Sequence, residues 1–204
     1  VEEATEALHA MFSKAAVAER KQAILDYDAS CALDYRDAFV SVPDFCRREL
    51  VAFFLADAVR SIPCVVDGLK PSQRKIVYTL RRHPGVHKVA QLAADVAKQT
   101  NYHHGETSLQ QAIVGMCQNW PSANHVALLQ PLGQFGDAHG TKAASPRYIF
   151  TDLAEATKHL VPAADDPVLV HIVEEAQPVE YEWFCPILPL VLVNGCDGIG
   201  TGWS

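Results

Sequence analysis

The sequence predicts an α+β fold, mainly helical, in which a winged-helix unit (helix-turn-helix plus a β wing) is followed by the start of a β-rich segment. Three observations lead there. Between residues 41 and 120 apolar side chains recur at helical spacing in blocks separated by short turns. From 121 to 146 the texture changes to glycine and proline punctuation around one apolar run, Val126-Ala127-Leu128-Leu129. Beyond the Asp165-Asp166-Pro167 turn, β-branched and aromatic residues take over.

Composition narrows the class. With 204 residues, 49% of them hydrophobic, the chain can bury a proper core. No apolar run approaches the roughly 20 residues a membrane helix needs. The opening VEEATEALHA carries acids where a signal peptide carries Lys or Arg, so an intracellular protein with no membrane partner is expected. The six cysteines (31, 46, 64, 117, 185, 196) form no CxxC pair, so neither a zinc knuckle nor a disulfide scaffold is indicated, and reduced, buried thiols are expected. The net charge of −7 argues, as a global figure, against a nucleic-acid partner. Its distribution argues the other way. Residues 46–160 hold 13 Lys and Arg against 8 acids, residues 1–45 hold 4 against 9, and residues 161–204 hold none against 7. A basic middle between acidic flanks is what a local phosphate-binding surface looks like, and also what solvated helix faces with chance clustering look like.

Taken in order, residues 1–40 begin with a helical pattern (Ala7, Leu8, Met11, Phe12, Ala16, Val17), carry no catalytic constellation and read as a connector. Ser41-Val42-Pro43-Asp44 has capping-box spacing with proline in the first turn, which starts a helix running to about Arg60. Pro63 stops it near Ser61-Ile62. Asp67-Gly68-Leu69-Lys70 is a turn, and Pro71 opens a second helix whose Ile76, Val77 and Leu80 make one apolar stripe, with Arg74 and Lys75 elsewhere around it. A third helix is expected over 88–98, and a fourth from near Thr107 carries Leu109, Ile113, Met116 and Cys117 towards Trp120-Pro121. Three short helices on short turns make a helix-turn-helix unit. Residues 126–129 should then pair with 148–150 as the wing, and a helix over 152–159 closes a 41–160 domain. Residues 168–173, 181–184 and 187–193 read as strands, the last broken by Pro189. The chain stops after Trp203-Ser204 with no closing element and reads as a fragment.

The chemistry centres on Ala144-Ser145-Pro146-Arg147-Tyr148-Ile149-Phe150-Thr151. It sets a tyrosine hydroxyl, a potential nucleophile, beside a guanidinium, the side chain whose planar fork best fits a phosphate. Pro146 pushes Ser145 towards extended geometry and the following residues favour a short strand. Strand neighbours point to opposite faces, so Arg147 and Tyr148 can share one phosphate only at an irregular strand end. Tyr102-His103-His104-Gly105-Glu106 puts two imidazoles before the fourth helix, able to hold a phosphate or shuttle a proton, or to be ordinary loop histidines. They lack a third ligand, and no metal site is expected. Arg60, Asp67, Lys70, Arg74 and Lys75 cluster around one turn, either as a phosphate clamp whose acid orients one of its bases or as a local Asp67–Lys70 ion pair. The glycines at 195, 198, 200 and 202, and Gly136 to Lys142, fit neither a strand-to-helix nucleotide loop nor a P-loop, so no ATP site is visible.

With these pieces in order, the chain resembles the DNA breakage-reunion region of eukaryotic-type type IIA DNA topoisomerases. The resemblance rests on Arg60-Ser-Ile-Pro63, Asp67-Gly-Leu-Lys70-Pro-Ser-Gln-Arg74-Lys75, Lys88-Val-Ala-Gln-Leu-Ala93, Tyr102-His-His-Gly-Glu106, the 144–151 stretch, Ala164-Asp-Asp-Pro167, Pro186-Ile-Leu-Pro189, and Val193-Asn-Gly195 through Gly198-Ile-Gly-Thr-Gly-Trp-Ser204. It implies an ATP-dependent enzyme that opens double-stranded DNA through a 5′-phosphotyrosyl link at Tyr148 while a second duplex passes. It further implies that Arg147 and His104 assist catalysis. By the same likeness Arg60, Lys70, Arg74, Lys75, His103 and Gln111 contact DNA, and Ile199 is an apolar wedge between base pairs. The likeness also implies a homodimer with Mg2+ and ATP bound outside this stretch, a first expectation of nuclear placement with mitochondrial or viral placement as alternatives, 1–40 as the tail of a metal-binding domain and 161–204 as the start of a tower or shoulder domain. The 136–146 loop departs from the pattern: it is short and lacks a basic residue directly after Phe135-Gly136. A different class, a non-catalytic winged-helix DNA-binding protein, is the alternative, and it leaves the Arg-Tyr motif without a purpose.

Overall fold

The computed structural model describes residues 1–31, 33–36, 38–201 and 203. They form two compact units, Val1–Ile62 with Gly198–Ser204, and Pro63–Asp197.

The first unit is helical: α1 (Glu2–Phe12), α2 (Val17–Leu25), α3 (Val42–Asp44) and α4 (Val51–Ser61), the last two joined by a π-helical turn, Phe45–Leu50. Ser41 caps α3 as its spacing predicts, its hydroxyl oxygen accepting the Asp44 N–H at 3.1 Å. Met11, Cys46 and Val51 form a small core with Ala7, Leu55 and Trp203 packed against it. Trp203 stacks on Phe54 with ring centroids 4.5 Å apart and donates its indole N–H to the Met11 carbonyl at 2.8 Å. These compact units meet at 62/63 and 197/198, whereas the sequence pattern places domain limits at 40/41 and 160/161. The helix begun at Ser41 is spent on the core of residues upstream of it, and the end of the chain returns to that core.

In the second unit α5 (Pro71–Arg82), α6 (Val89–Gln99) and α7 (Glu106–Cys117) pack with a three-stranded antiparallel sheet in the order β1 (His87–Lys88), β3 (Phe150–Leu153), β2 (Leu129–Leu132). Each helix contributes the apolar stripe its sequence predicts: Ile76, Val77 and Leu80, then Val89, Leu92, Ala93 and Val96, then Leu109, Ile113, Met116 and Cys117. Burying each large aliphatic side chain contributes about 1.5–3 kcal/mol. Next come α8 (Glu155–Leu160), a 3-10 turn (Ala163–Val168), the hairpin β4 (His171–Glu174) and β5 (Gln177–Tyr181), and α9 (Leu190–Val193).

In several places the fold departs from the sequence pattern. The two strands pair further along the chain than expected, Leu129 with Leu153 and Leu132 with Phe150. Val126 is occupied instead by the Asn194 side chain, which accepts its N–H at 2.8 Å and donates to its carbonyl at 2.9 Å. Residues 146–149 meet the first turn of α6 rather than a strand. The closing helix begins at Glu155 rather than Asp152, because Asp152 and Leu153 remain in the β3 ladder. Residues 187–193 supply α9 rather than a strand, with the Pro189 carbonyl accepting the N–H groups of Leu192 and Val193. Cys46 and Cys117 are buried, but Cys31, Cys185 and Cys196 are exposed. Burial pushes the Cys117 thiol up to about 12, which keeps it an inert hydrogen-bond partner of Thr151.

Candidate active site

Pro146, Arg147 and Tyr148 form a turn, and β3 begins only at Phe150, so the Arg-Tyr pair stands at the irregular strand entrance its chemistry requires. The turn is fixed from behind. The Ile149 and Pro146 carbonyls accept the first N–H groups of α6, from Val89 at 3.0 Å and Ala90 at 3.2 Å, donors that a helix N-terminus otherwise leaves without partners. The Tyr148 N–H donates to the Ser145 carbonyl at 2.9 Å. Ile149 is buried in the core beneath, close to Gly133, where an added Cβ would lie 3.1 Å from the Ile149 side chain. What this rigid base presents is exposed: Tyr148 is 69% accessible and the Arg147 guanidinium lies 5.8 Å from its ring centroid. Among the described residues no carboxylate pairs with Arg147, which leaves its charge available to an incoming anion. The positive end of the α6 dipole faces the same turn.

The other candidates separate into three groups. His103 and His104 are exposed, as expected of groups that meet a ligand, and follow the C-terminal end of α6. His104 packs edge-on against Tyr102, with ring centroids 5.4 Å apart. Eleven residues of helix span about 16 Å, and the histidines follow the C-terminal end of α6 whereas the Tyr148 turn backs its N-terminal end. Gln111 is exposed on α7. Lys70 stands just before α5, its N–H donating to the Gln73 side-chain oxygen at 2.9 Å, and lines a polar cavity of about 510 Å³ with Gln73, Asn124 and Asn194.

Arg74 and Lys75, read from the sequence as DNA contacts, are buried residues whose charges are paired within the protein. The α5 helix is buried from residue 74 through 80, so these two charges must find partners within the protein. Arg74 makes a two-pronged contact with Asp67, Nε to Oδ2 at 2.7 Å and Nη2 to Oδ1 at 3.1 Å, and donates to the Leu69 carbonyl at 3.1 Å. Asp67 also accepts the N–H groups of Leu69 and Phe184, both at 3.0 Å. The acid of the cluster thus pairs with Arg74, not Lys70. Lys75 donates to the Thr100 carbonyl and to Glu180, each at 2.7 Å. Burial raises the Glu180 carboxyl above its ordinary range, with Lys75 opposing that shift. Glu180 carries no obvious signal in the sequence, since it lies 105 positions from its lysine.

Arg60 and Ile199 belong to the first unit. Arg60 ends α4 with its guanidinium 2.5 Å from Asp57 yet more than half exposed, and Ile199 is 83% exposed. In the 136–146 loop, Asp137 accepts the His139 and Thr141 N–H groups, contacts with Thr141 above all holding its carboxyl below the usual range, and Lys142 is exposed. Among the described residues no three His, Cys, Asp or Glu side chains converge as metal ligands.

The A-subunit family of DNA gyrase/topoisomerase IV matches residues 60–204 of this chain. DNA topoisomerase 2 of Saccharomyces cerevisiae is 46% identical over 197 residues, covering 95% of this chain and 14% of that protein. Human DNA topoisomerase 2-alpha is 49% identical over 170 residues, covering 81% of this chain and 11% of that protein. The chain therefore spans about one seventh of the length of the curated relatives it matches. Among solved structures, the Plasmodium falciparum topoisomerase II DNA-binding, cleavage and re-ligation domain superposes with a TM-score of 0.84 at 39% identity, covering all of this chain and 28% of that one.

Proposed function

Because this chain belongs to the DNA gyrase/topoisomerase IV A-subunit family, we propose that it is the strand-cleaving part of a type II DNA topoisomerase in which Tyr148 is the nucleophile. The observation that carries this is the exposed Arg147-Tyr148 turn held on a rigid base. A nucleophile must be presented in a fixed geometry to gain from proximity, and a surface tyrosine with no such role needs no such backing.

In the reaction the Tyr148 hydroxyl oxygen attacks a backbone phosphorus of double-stranded DNA. A bond forms from the tyrosine oxygen to the 5′-phosphate as its proton passes to the solvent, the bond to the 3′-oxygen breaks, and that oxygen takes a proton from the solvent and leaves as a hydroxyl. The phosphodiester energy is conserved in the phosphotyrosyl link, so the reverse attack by the 3′-hydroxyl reseals the strand. Arg147, adjacent and not neutralised by a carboxylate, offsets the charge that develops on the attacked phosphate. Lys70 and Gln111 are accessible to the DNA backbone, as are His103 and Arg60, while Ile199 offers an apolar wedge. Arg74 and Lys75 act indirectly, by fixing the helix that Lys70 precedes. If His104 assists at the same phosphate as Tyr148, it comes from a second copy of the chain, which supports a homodimer.

The three helices and the β1-β3-β2 sheet read as a winged helix, the hairpin after it as the start of a tower domain, and 1–40 as the tail of a preceding metal-binding domain. Among the described residues no three metal-ligating side chains converge, so no step is routed through Mg2+; Mg2+ and ATP would be bound elsewhere in a longer protein, in the nucleus as the first expectation. The test uses the full-length parent with supercoiled DNA, Mg2+ and ATP. Tyr148→Phe should lower relaxation by at least ~10⁴ and abolish protein trapped covalently on DNA after denaturation. Equal relaxation by the variant would show that Tyr148 is not the nucleophile, and relaxation by neither protein would replace this reading with a DNA-binding protein that does not cleave.

A further inference from the structure

Behind His103 lies a cluster of charges that the reaction above does not use. Lys75 from α5 is buried between two carboxylates of the β4–β5 hairpin, Glu180 at 2.7 Å and Glu174 at 3.7 Å. The second oxygen of Glu174 is shielded from solvent, has no hydrogen-bond partner among the described residues, and lies 3.9 Å from Nε2 of His103. A buried acceptor without a donor is costly, and the imidazole is the nearest group able to supply one after a small side-chain rotation. With one lysine against two glutamates, the ionised cluster carries one negative charge too many to stand behind a phosphate.

We propose that Glu174 is a positioning residue that aims His103 at a DNA backbone phosphate and draws a proton onto the imidazole when that phosphate binds. The inference rests on the reading of His103 as a DNA contact. An imidazole that donates Nε2–H to Glu174 offers only an acceptor at Nδ1, which repels phosphate. A second proton turns Nδ1 into a donor, so that a carboxylate on one side and a phosphate on the other both favour the doubly protonated ring. One proton is thus taken from solvent per chain on binding, and it neutralises the excess charge of the cluster. The ionisable groups at the ring are Glu174 from β4, with Lys75 from α5 and Glu180 from β5 behind it, while His104 and Glu106 are its neighbours along the chain. Glu180, raised by burial, is the competing place for the proton.

The experiment is titration calorimetry of a short linear duplex into the full-length parent, in two buffers of different ionisation enthalpy, which counts protons taken up. Wild type should take up about one more proton per chain than Glu174→Gln or His103→Gln, and both variants should bind DNA more weakly, by roughly tenfold. Glu174 is partly exposed, and an unchanged thermal midpoint of Glu174→Gln establishes that the loss is not a folding defect. Uptake that persists in Glu174→Gln, or that is lost from Glu180→Gln while Glu174→Gln retains it, overturns the assignment. Undiminished affinity in His103→Gln overturns instead the reading of His103 as a DNA contact, and the two failures are told apart by which variant produces them.

Discussion

Arg74-Lys75 and Arg147-Tyr148 look alike as letters, short polar pairs beside apolar runs in the basic middle of the chain, yet the fold treats them in opposite ways. The first pair lies inside α5, each cation closed by a carboxylate and a backbone carbonyl. The second stands on a turn with its backbone tied down and its side chains in solvent. A buried charge must be paired or it unfolds the protein, whereas an exposed charge left unpaired costs little and stays free for a ligand. The difference teaches that cations clustered in a sequence need not form a phosphate site: where burial and carboxylates close the charges, as at Arg74 and Lys75, none is left for a ligand.

The sharpest break of this comparison is at Asp67. Asp67→Ala removes the acceptor of Arg74 and of two backbone N–H groups while leaving the guanidinium buried, which should cost about 3–5 kcal/mol and lower the melting temperature by on the order of 10 °C. Arg147→Ala should leave the melting temperature where it is and remove covalent trapping on DNA. Thermal unfolding of the two variants decides the matter: equal losses of stability would mean that the two pairs do not differ in kind.

What can be read from the letters follows the range of the interactions. The helices around Ile76, Leu92 and Ile113 are legible because an apolar stripe at helical spacing is a local signal. Pro146 marks the extended approach, but the strand read over 148–150 begins only at Phe150, because the Ile149 and Pro146 carbonyls are taken by the Val89 and Ala90 amides. The partners that close the Arg74 and Lys75 clusters are not, because Phe184 and Glu180 approach α5 only after the chain has passed through more than a hundred residues. The return of Trp203 to Met11, 192 positions away, is hidden for the same reason. The register of β2 on β3 differs from the pattern where Asn194 takes over the backbone of Val126, a pairing of side chain with main chain that no β-pattern encodes.

A second break tests the rigid base. Ile149→Ala empties a fully packed position directly under the turn and should destabilise the protein by about 2–5 kcal/mol. The loss should be felt locally as well, because the Ile149 and Pro146 carbonyls hold the Val89 and Ala90 amides. Hydrogen exchange of those two amides should accelerate more than exchange in the middle of α6, and covalent trapping should fall although Tyr148 is intact. Uniform acceleration through α6 would show that the turn has no separate stability, and that its order is a by-product of the core.

The smallest expected effect lies at the tip of the hairpin that delivers Glu174 and Glu180 to Lys75. Its two turn residues, Glu175 and Ala176, have φ of 50° and 62°, a conformation that suits the twist of a tight hairpin but is unfavourable for a residue with a Cβ. Glycine at 176 would remove roughly 1–2 kcal/mol of that strain. Against this, glycine gives the unfolded chain more freedom, worth roughly 0.5–1 kcal/mol. The strain wins, so Ala176→Gly should stabilise the protein by about 0.5 kcal/mol, read as a higher denaturant midpoint with an unchanged slope. Because Ala176 is exposed and touches neither carboxylate cluster nor nucleophile, DNA trapping should be unaltered. A stabilised hairpin that nevertheless changed trapping would mean that the buried charges on α5 and the exposed pair at Tyr148 are coupled, and the division between interior and surface cations would have to be redrawn.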